Sequence, residues 1–134
     1  KTLTILGITV KYDAATLLKD SSGEEFNPST LSPGDNIKTE GFVNSDNSVA
    51  ATRIERKDNS ITNVSLLGPI DADLASPNFT IVGVQVTTNV LTLFNNDAAG
   101  SAAFFNDTKK GQLVKVKGSE ASNVISATEV ENED

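Results

Sequence analysis

The chain has no cysteine, histidine, methionine or tryptophan, and its one Tyr and six Phe make up 5% of 134 residues. Without a thiol or an imidazole it cannot build a cysteine nucleophile, a Ser-His triad, a zinc finger or any imidazole-held metal. Basic residues are scarce beside acidic ones, 11 against 18, which leaves a formal net charge of -7. Such a field repels phosphate backbones, so no nucleic-acid partner is expected. Long apolar runs are lacking too: none approaches the roughly 20 residues a helix needs to cross a bilayer. Membrane attachment is therefore expected only through an anchor outside this segment. The lack of Met, with a start at Lys1 inside what reads as a strand, leads to the expectation that a segment precedes it. Apolar residues at 37% and charged residues at 22% still supply enough material for a globular core.

What is present is an internal repeat. Leu3-Thr-Ile-Leu-Gly7-Ile-Thr-Val10, followed by Thr16-Leu17-Leu18, aligns without a gap on Phe79-Thr-Ile-Val-Gly83-Val-Gln-Val86, followed by Thr92-Leu93-Phe94. Gly34 to Gly41 matches Gly111 to Gly118, and Val49 to Glu55 matches Ile125 to Glu131. Three collinear blocks with shared glycines point to duplication, and the chain is divided into repeats over 1–58 and 59–134.

Each block alternates apolar and polar residues as a strand does. The apolar parity changes across Gly7 and Gly83, and again between Ala51 and Ile54 and between Ala127 and Val130. We read each change as a bulge that bends one strand around a small closed barrel. The polar stretches Asp20 to Pro33 and Asp97 to Lys110 read as loops with one helical turn. The expected fold is all-β: two tandem OB-like barrels, each with a short helical turn before its fourth strand. The first copy lacks its first strand, which leaves an open edge expected to pair with a preceding segment or, by self-association, with a neighbouring chain.

Gly68-Pro-Ile, Phe79-Thr-Ile-Val-Gly-Val-Gln-Val, Thr92-Leu-Phe, Gly111-x-Leu-Val-Lys-Val-Lys-Gly118 and Ala127-Thr-x-Val-Glu together carry a family resemblance. The pattern resembles the tandem OB-like repeats of uncharacterised bacterial envelope lipoproteins, a domain of unknown function. The resemblance implies a periplasmic or outer-membrane-associated location and brings no functional residue with it.

Candidate sites are sparse. Asp71-Ala-Asp73 could share a hard cation, but an EF-hand loop needs further oxygen ligands and a glycine that are missing, so no metal is expected. Asn44-Ser-Asp-Asn47 and Asn95-Asn96-Asp97 read as turns. Lys109, Lys110, Lys115 and Lys117 form a small basic patch, read as protection of a strand edge rather than as an anion site. Glu24-Glu25 and Glu129 with Glu131 read as solubilising charge, since a glycosidase would need opposed carboxyls across a cleft. No catalytic residue and no cofactor are expected. Tyr12, Phe42 and Phe94 remain as a possible ligand face. The leading expectation is a non-catalytic structural or interaction module of the bacterial cell envelope that meets a protein partner or envelope component. The alternative is a module that binds an oligosaccharide or small ligand on those three rings.

Overall fold

The structure, a computed structural model, describes residues 1–57, 63–71, 74–95 and 99–133. It divides into two units, Lys1–Thr62 and Asn63–Asp134. Unit 1 holds β1 (Thr2–Ile5), β2 (Ile8–Lys11), β3 (Leu17–Lys19), a 3-10 turn (Pro28–Thr30), β4 (Ile37–Val43) and β5 (Val49–Arg56). Unit 2 holds β6 (Val64–Pro69), β7 (Asn78–Ile81), β8 (Val84–Thr87), β9 (Leu93–Phe94), α1 (Ser101–Asp107), β10 (Leu113–Ala121) and β11 (Val124–Asn132). Each unit is one mostly β sheet with a short helical element. The expected repeat boundary and most of the Lys57-Asp58-Asn59-Ser60 link lie outside the described residues.

Gly7 and Gly83 do not bend a strand; they end one. Leu6 and Gly7 have φ of 53° and 77°, and Val82 and Gly83 have 49° and 76°. Positive φ at both central residues is the backbone of a two-residue hairpin turn. Ile5 therefore faces Ile8 and Leu3 faces Val10 across β1 and β2, and β7 and β8 pair in the same way. A two-residue turn sets facing partners three positions apart, which exchanges odd for even parity as a bulge does. The expected bent strand is thus two antiparallel strands. Leu6 and the β-branched Val82 are poor residues for positive φ, which hides the turn in the sequence.

The second pair of parity changes is a pair of bulges. Glu40 faces Arg53 and Gly41 faces Ala51, which leaves Thr52 over; Lys117 faces Glu129 and Gly118 faces Ala127, which leaves Thr128 over. Each extra threonine hydroxyl donates to the strand opposite, Thr52 to the Glu40 carbonyl and Thr128 to the Lys117 carbonyl, both at 3.2 Å. The duplication extends to single hydrogen bonds. Thr16 Oγ1 accepts from the Asp13 N–H at 3.1 Å and donates to the Ala51 carbonyl at 2.9 Å. Thr92 Oγ1 accepts from the Asn89 N–H at 3.0 Å and donates to the Ala127 carbonyl at 2.7 Å.

In both units the last strand is central. β5 pairs antiparallel with β4 on one side and parallel with β2 and β3 on the other; β11 does the same with β10, β8 and β9. The difference lies at β6, which lies antiparallel along the far side of β10, with Val64 facing Gly118, Leu66 facing Val116 and Gly68 facing Val114. Among the described residues, no strand of unit 1 occupies the corresponding place beside β4.

Neither sheet closes into a barrel. In unit 2 the two ends meet at one bridge, Ile70 to Ile81, with the Asp71 N–H donating to the Thr80 carbonyl at 3.1 Å. Pro69, lacking an N–H, ends β6 just before that point. In unit 1, among the described residues, no strand takes the β6 position and no pairing joins β1 to β4.

The cores differ accordingly. Ile81, Phe94, Val114, Val116, Ile125 and Val130 of unit 2 are fully buried. Their repeat partners Ile5, Leu18, Ile37, Thr39 and Val49 are only half-buried, while Ile54, like Val10 against its counterpart Val86, is buried as its counterpart is.

Candidate functional site

The three rings of the expected ligand face do not meet. Phe94 is 1% exposed in unit 2, with Phe104 and Phe105 ring centroids at 5.2 and 5.9 Å. Phe79 joins the same cluster, 5.2 Å from Phe104. This corrects Phe94 to a core residue: β9 aligns it with Val130, and α1 lays Phe104 over it. Tyr12 is half-buried and follows Val10 by two positions, so strand alternation puts it on the Val10 face. Phe42 faces Ala50, and Ala50 faces Lys11, so Phe42 belongs to the opposite face. It is 72% exposed.

Phe42 is the last residue but one of β4. Beyond it Val43 is also exposed, and the chain turns through Asn44 to Ser48. The Asp46 carboxylate holds that turn, accepting from the Ser48 hydroxyl at 2.6 Å and the Ser48 N–H at 3.0 Å. These bonds hold the Asp46 carboxyl below its usual pKa, and Lys11, with Nζ 3.9 Å from Oδ2, adds a smaller share. Further along β4, Lys38 Nζ lies 3.2 Å from Glu40 Oε1. On β5, Glu55 is likewise held low by Lys57 first and Arg53 second. The site is therefore a strand that is paired on one side only among the described residues, and its two faces differ. The outer face carries Lys38, Glu40 and Phe42; the inner face carries Ile37 and Thr39.

Thr39 was not singled out by sequence, although the repeat alignment sets it against Val116. It faces Ile54, and its hydroxyl is buried without a hydrogen-bond partner. An unsatisfied buried hydroxyl costs stability that a methyl group does not. Thr39→Val is expected to stabilise the protein by about 1 kcal/mol, read as a rise in the urea midpoint at unchanged m. A loss of stability would mean that the hydroxyl has a partner.

The other sequence candidates have structural roles. The Asp71 carboxylate accepts from the Gly83 N–H and ties the β7–β8 turn; Asp73, Asn96 and Asp97 lie outside the described residues. Lys115 and Lys117 do not protect an edge, because β10 is flanked by β6 and β11. They face Glu131 and Glu129 across the ladder, with Lys117 Nζ 3.8 Å from Glu129 Oε2. A shallow depression of about 280 Å³ is lined by Asn63, Val64, Ser65, Lys117, Thr128 and Glu129, and none of the three candidate rings lines it. No described helix is long and apolar enough to cross a membrane.

Comparison with known families fits the duplicated hydrogen bonds. The family model described as a domain of unknown function, DUF5666, matches residues 1–55 and residues 68–131. The chain belongs to this family. The second DUF5666 segment begins inside β6, at Gly68, and the first ends inside β5. Both matched segments contain the hairpin, the threonine loop and the bulge. No curated protein and no solved structure matched the chain.

Proposed function

We propose that this chain is a non-catalytic interaction module of the bacterial cell envelope that engages a protein partner through unit 1. The observation that supports this reading is the β4 edge, with no strand on its far side among the described residues and an exposed phenylalanine one residue from its end, on an acidic protein. Soluble monomers usually blunt or cover such an edge, because its free N–H and C=O groups and apolar side chains invite another chain. The envelope location is supported by the resemblance of the repeats to those of envelope lipoproteins. An OB-like kinship is supported by the neighbour order β6-β10-β11-β8-β7 with a helix before β10, as in a partly open five-stranded barrel. The oligosaccharide reading loses its support, since Phe94 is in the core and Tyr12 and Phe42 lie on opposite faces.

Replacing Phe42 by a photo-crosslinking phenylalanine analogue in cells tests the proposal. Irradiation is expected to yield a polypeptide adduct that fractionates with the envelope. Cytosolic fractionation, or a glycan adduct in place of a polypeptide, would defeat it.

A further inference from the structure

The loop between β8 and β9 ends in two aliphatic residues that touch almost nothing of their own chain: Val90 is 90% exposed and Leu91 81% exposed. The loop itself is fixed. The Asn89 N–H donates to Thr92 Oγ1 at 3.0 Å, the Leu91 N–H to Asn89 Oδ1 at 2.8 Å and the Thr92 N–H to the Asn89 carbonyl at 3.1 Å. Unit 1 builds the same loop without the aliphatic pair. Asp13 and Thr16 make the same three hydrogen bonds around Ala14 and Ala15. The loop conformation therefore requires neither Val90 nor Leu91, and neither side chain serves the core. The surroundings are uncharged as well. The Thr88 N–H and hydroxyl both donate to the Pro77 carbonyl, at 3.0 and 2.9 Å, which sets the exposed segment Ala75-Ser76-Pro77 beside the tip. Residues 74–96 contain no charged residue, in a chain that is 22% charged.

We propose that this tip dips into the surface of a zwitterionic lipid layer. The residues that dominate protein–protein contacts are Trp, Tyr and Arg, whereas Leu, Val, Ser and Thr are under-represented there. The tip and its flank hold Leu91, Val90, Ser76 and Thr88 and none of the first kind. A pair of side chains this exposed projects from the surface. In a protein partner it would need a matching hollow, but a lipid layer needs no preformed shape. The net charge of -7 disfavours anionic headgroups, which leaves a zwitterionic surface as the one an uncharged tip can approach. Val90 and Leu91 together offer less apolar surface than one myristoyl chain, which by itself binds membranes reversibly at about 10⁴ M⁻¹. The contact therefore orients unit 2 at a membrane and does not anchor the chain. It concerns unit 2 alone and stands apart from the β4 reading.

The probe is a phosphatidylcholine nanodisc containing some lipid with a paramagnetic headgroup, added to the intact chain while backbone amide signals are followed by NMR. Signal loss is expected to centre on Val90 and Leu91 and to persist at high salt, because no charge takes part. Replacing both residues by alanine, Val90→Ala with Leu91→Ala, gives the tip the two alanines of the unit 1 loop. This variant is expected to bind the nanodisc at least about tenfold more weakly. Its urea midpoint is expected to stay unchanged, since neither side chain is buried. Absence of signal loss at the tip overturns the proposal, and so does loss that centres elsewhere or disappears on adding salt. Broadening of the tip that grows with protein concentration in the absence of lipid also overturns it, because a second copy would then be the occupant. A photo-crosslinking residue in place of Leu91 is expected to yield lipid adducts in cells; a polypeptide adduct would assign the tip to a protein and overturn the proposal.

Discussion

Phe94→Ala is expected to destabilise the protein by about 4 kcal/mol, within the range for emptying a buried aromatic site. The ring is fully enclosed, with Phe104 and Phe105 against it and Val130 alongside on β11. Its removal leaves a cavity walled by other rings, which the fixed pairing of β9 with β11 prevents from collapsing. Leu18 occupies the same register position in unit 1, facing Ile54, and is half-buried. Leu18→Ala is therefore expected to cost roughly half as much, because less apolar area returns to water. Denaturant unfolding of both variants checks the difference. Were Phe94→Ala to cost under about 1 kcal/mol, this phenylalanine cluster would not be the core of unit 2.

Gly118→Ala is the second large effect, expected at about 3 kcal/mol or more. Its φ is not positive, so the cause is not conformational preference. A Cβ there would overlap the Ser126 carbonyl oxygen deep inside van der Waals contact and stand 3.0 Å from Ala127 Cα, across the bulge made by Thr128. The obstacles are backbone atoms held in a ladder, and β10 cannot withdraw because β6 pins its other side. Gly41 meets the Ala50 carbonyl in the same way, but β4 has no described strand on its far side. Gly41→Ala is accordingly expected to cost less, since β4 can swing away. Gly111 is the control: its φ is 89° with open space around it, so alanine there costs about 1 to 2 kcal/mol through left-handed strain alone. Equal losses at positions 118 and 111 would refute the steric account.

The repeat was readable because duplication preserves the residues with the least freedom. Thr16 and Thr92 each serve as acceptor and donor between a loop and the central strand, and Gly41 and Gly118 each admit a backbone carbonyl. No other side chain fits those tasks equally well, so both copies kept them at constant spacing. The hairpin turns were not readable, because Leu6 and Val82 occupy a conformation that glycine or asparagine usually takes. The ligand face failed for a different reason. A two-residue strand such as β9 is too short for alternation to reveal which side is buried, and only the docking of α1 put Phe94 inside. Lys115 and Lys117 alternate with buried valines as expected, yet their strand proved interior, since strand order is a long-range property.

By itself the sequence determined that the chain is β-rich, acidic, duplicated and without thiol or imidazole chemistry, since these follow from composition, spacing and period. The tertiary structure alone decided that the sheets stay open and that β4 is an edge while β10 is not. It also decided which aromatic rings are core. Those outcomes depend on which distant segment lies beside a strand, and a strand's own residues specify its faces but not its neighbours.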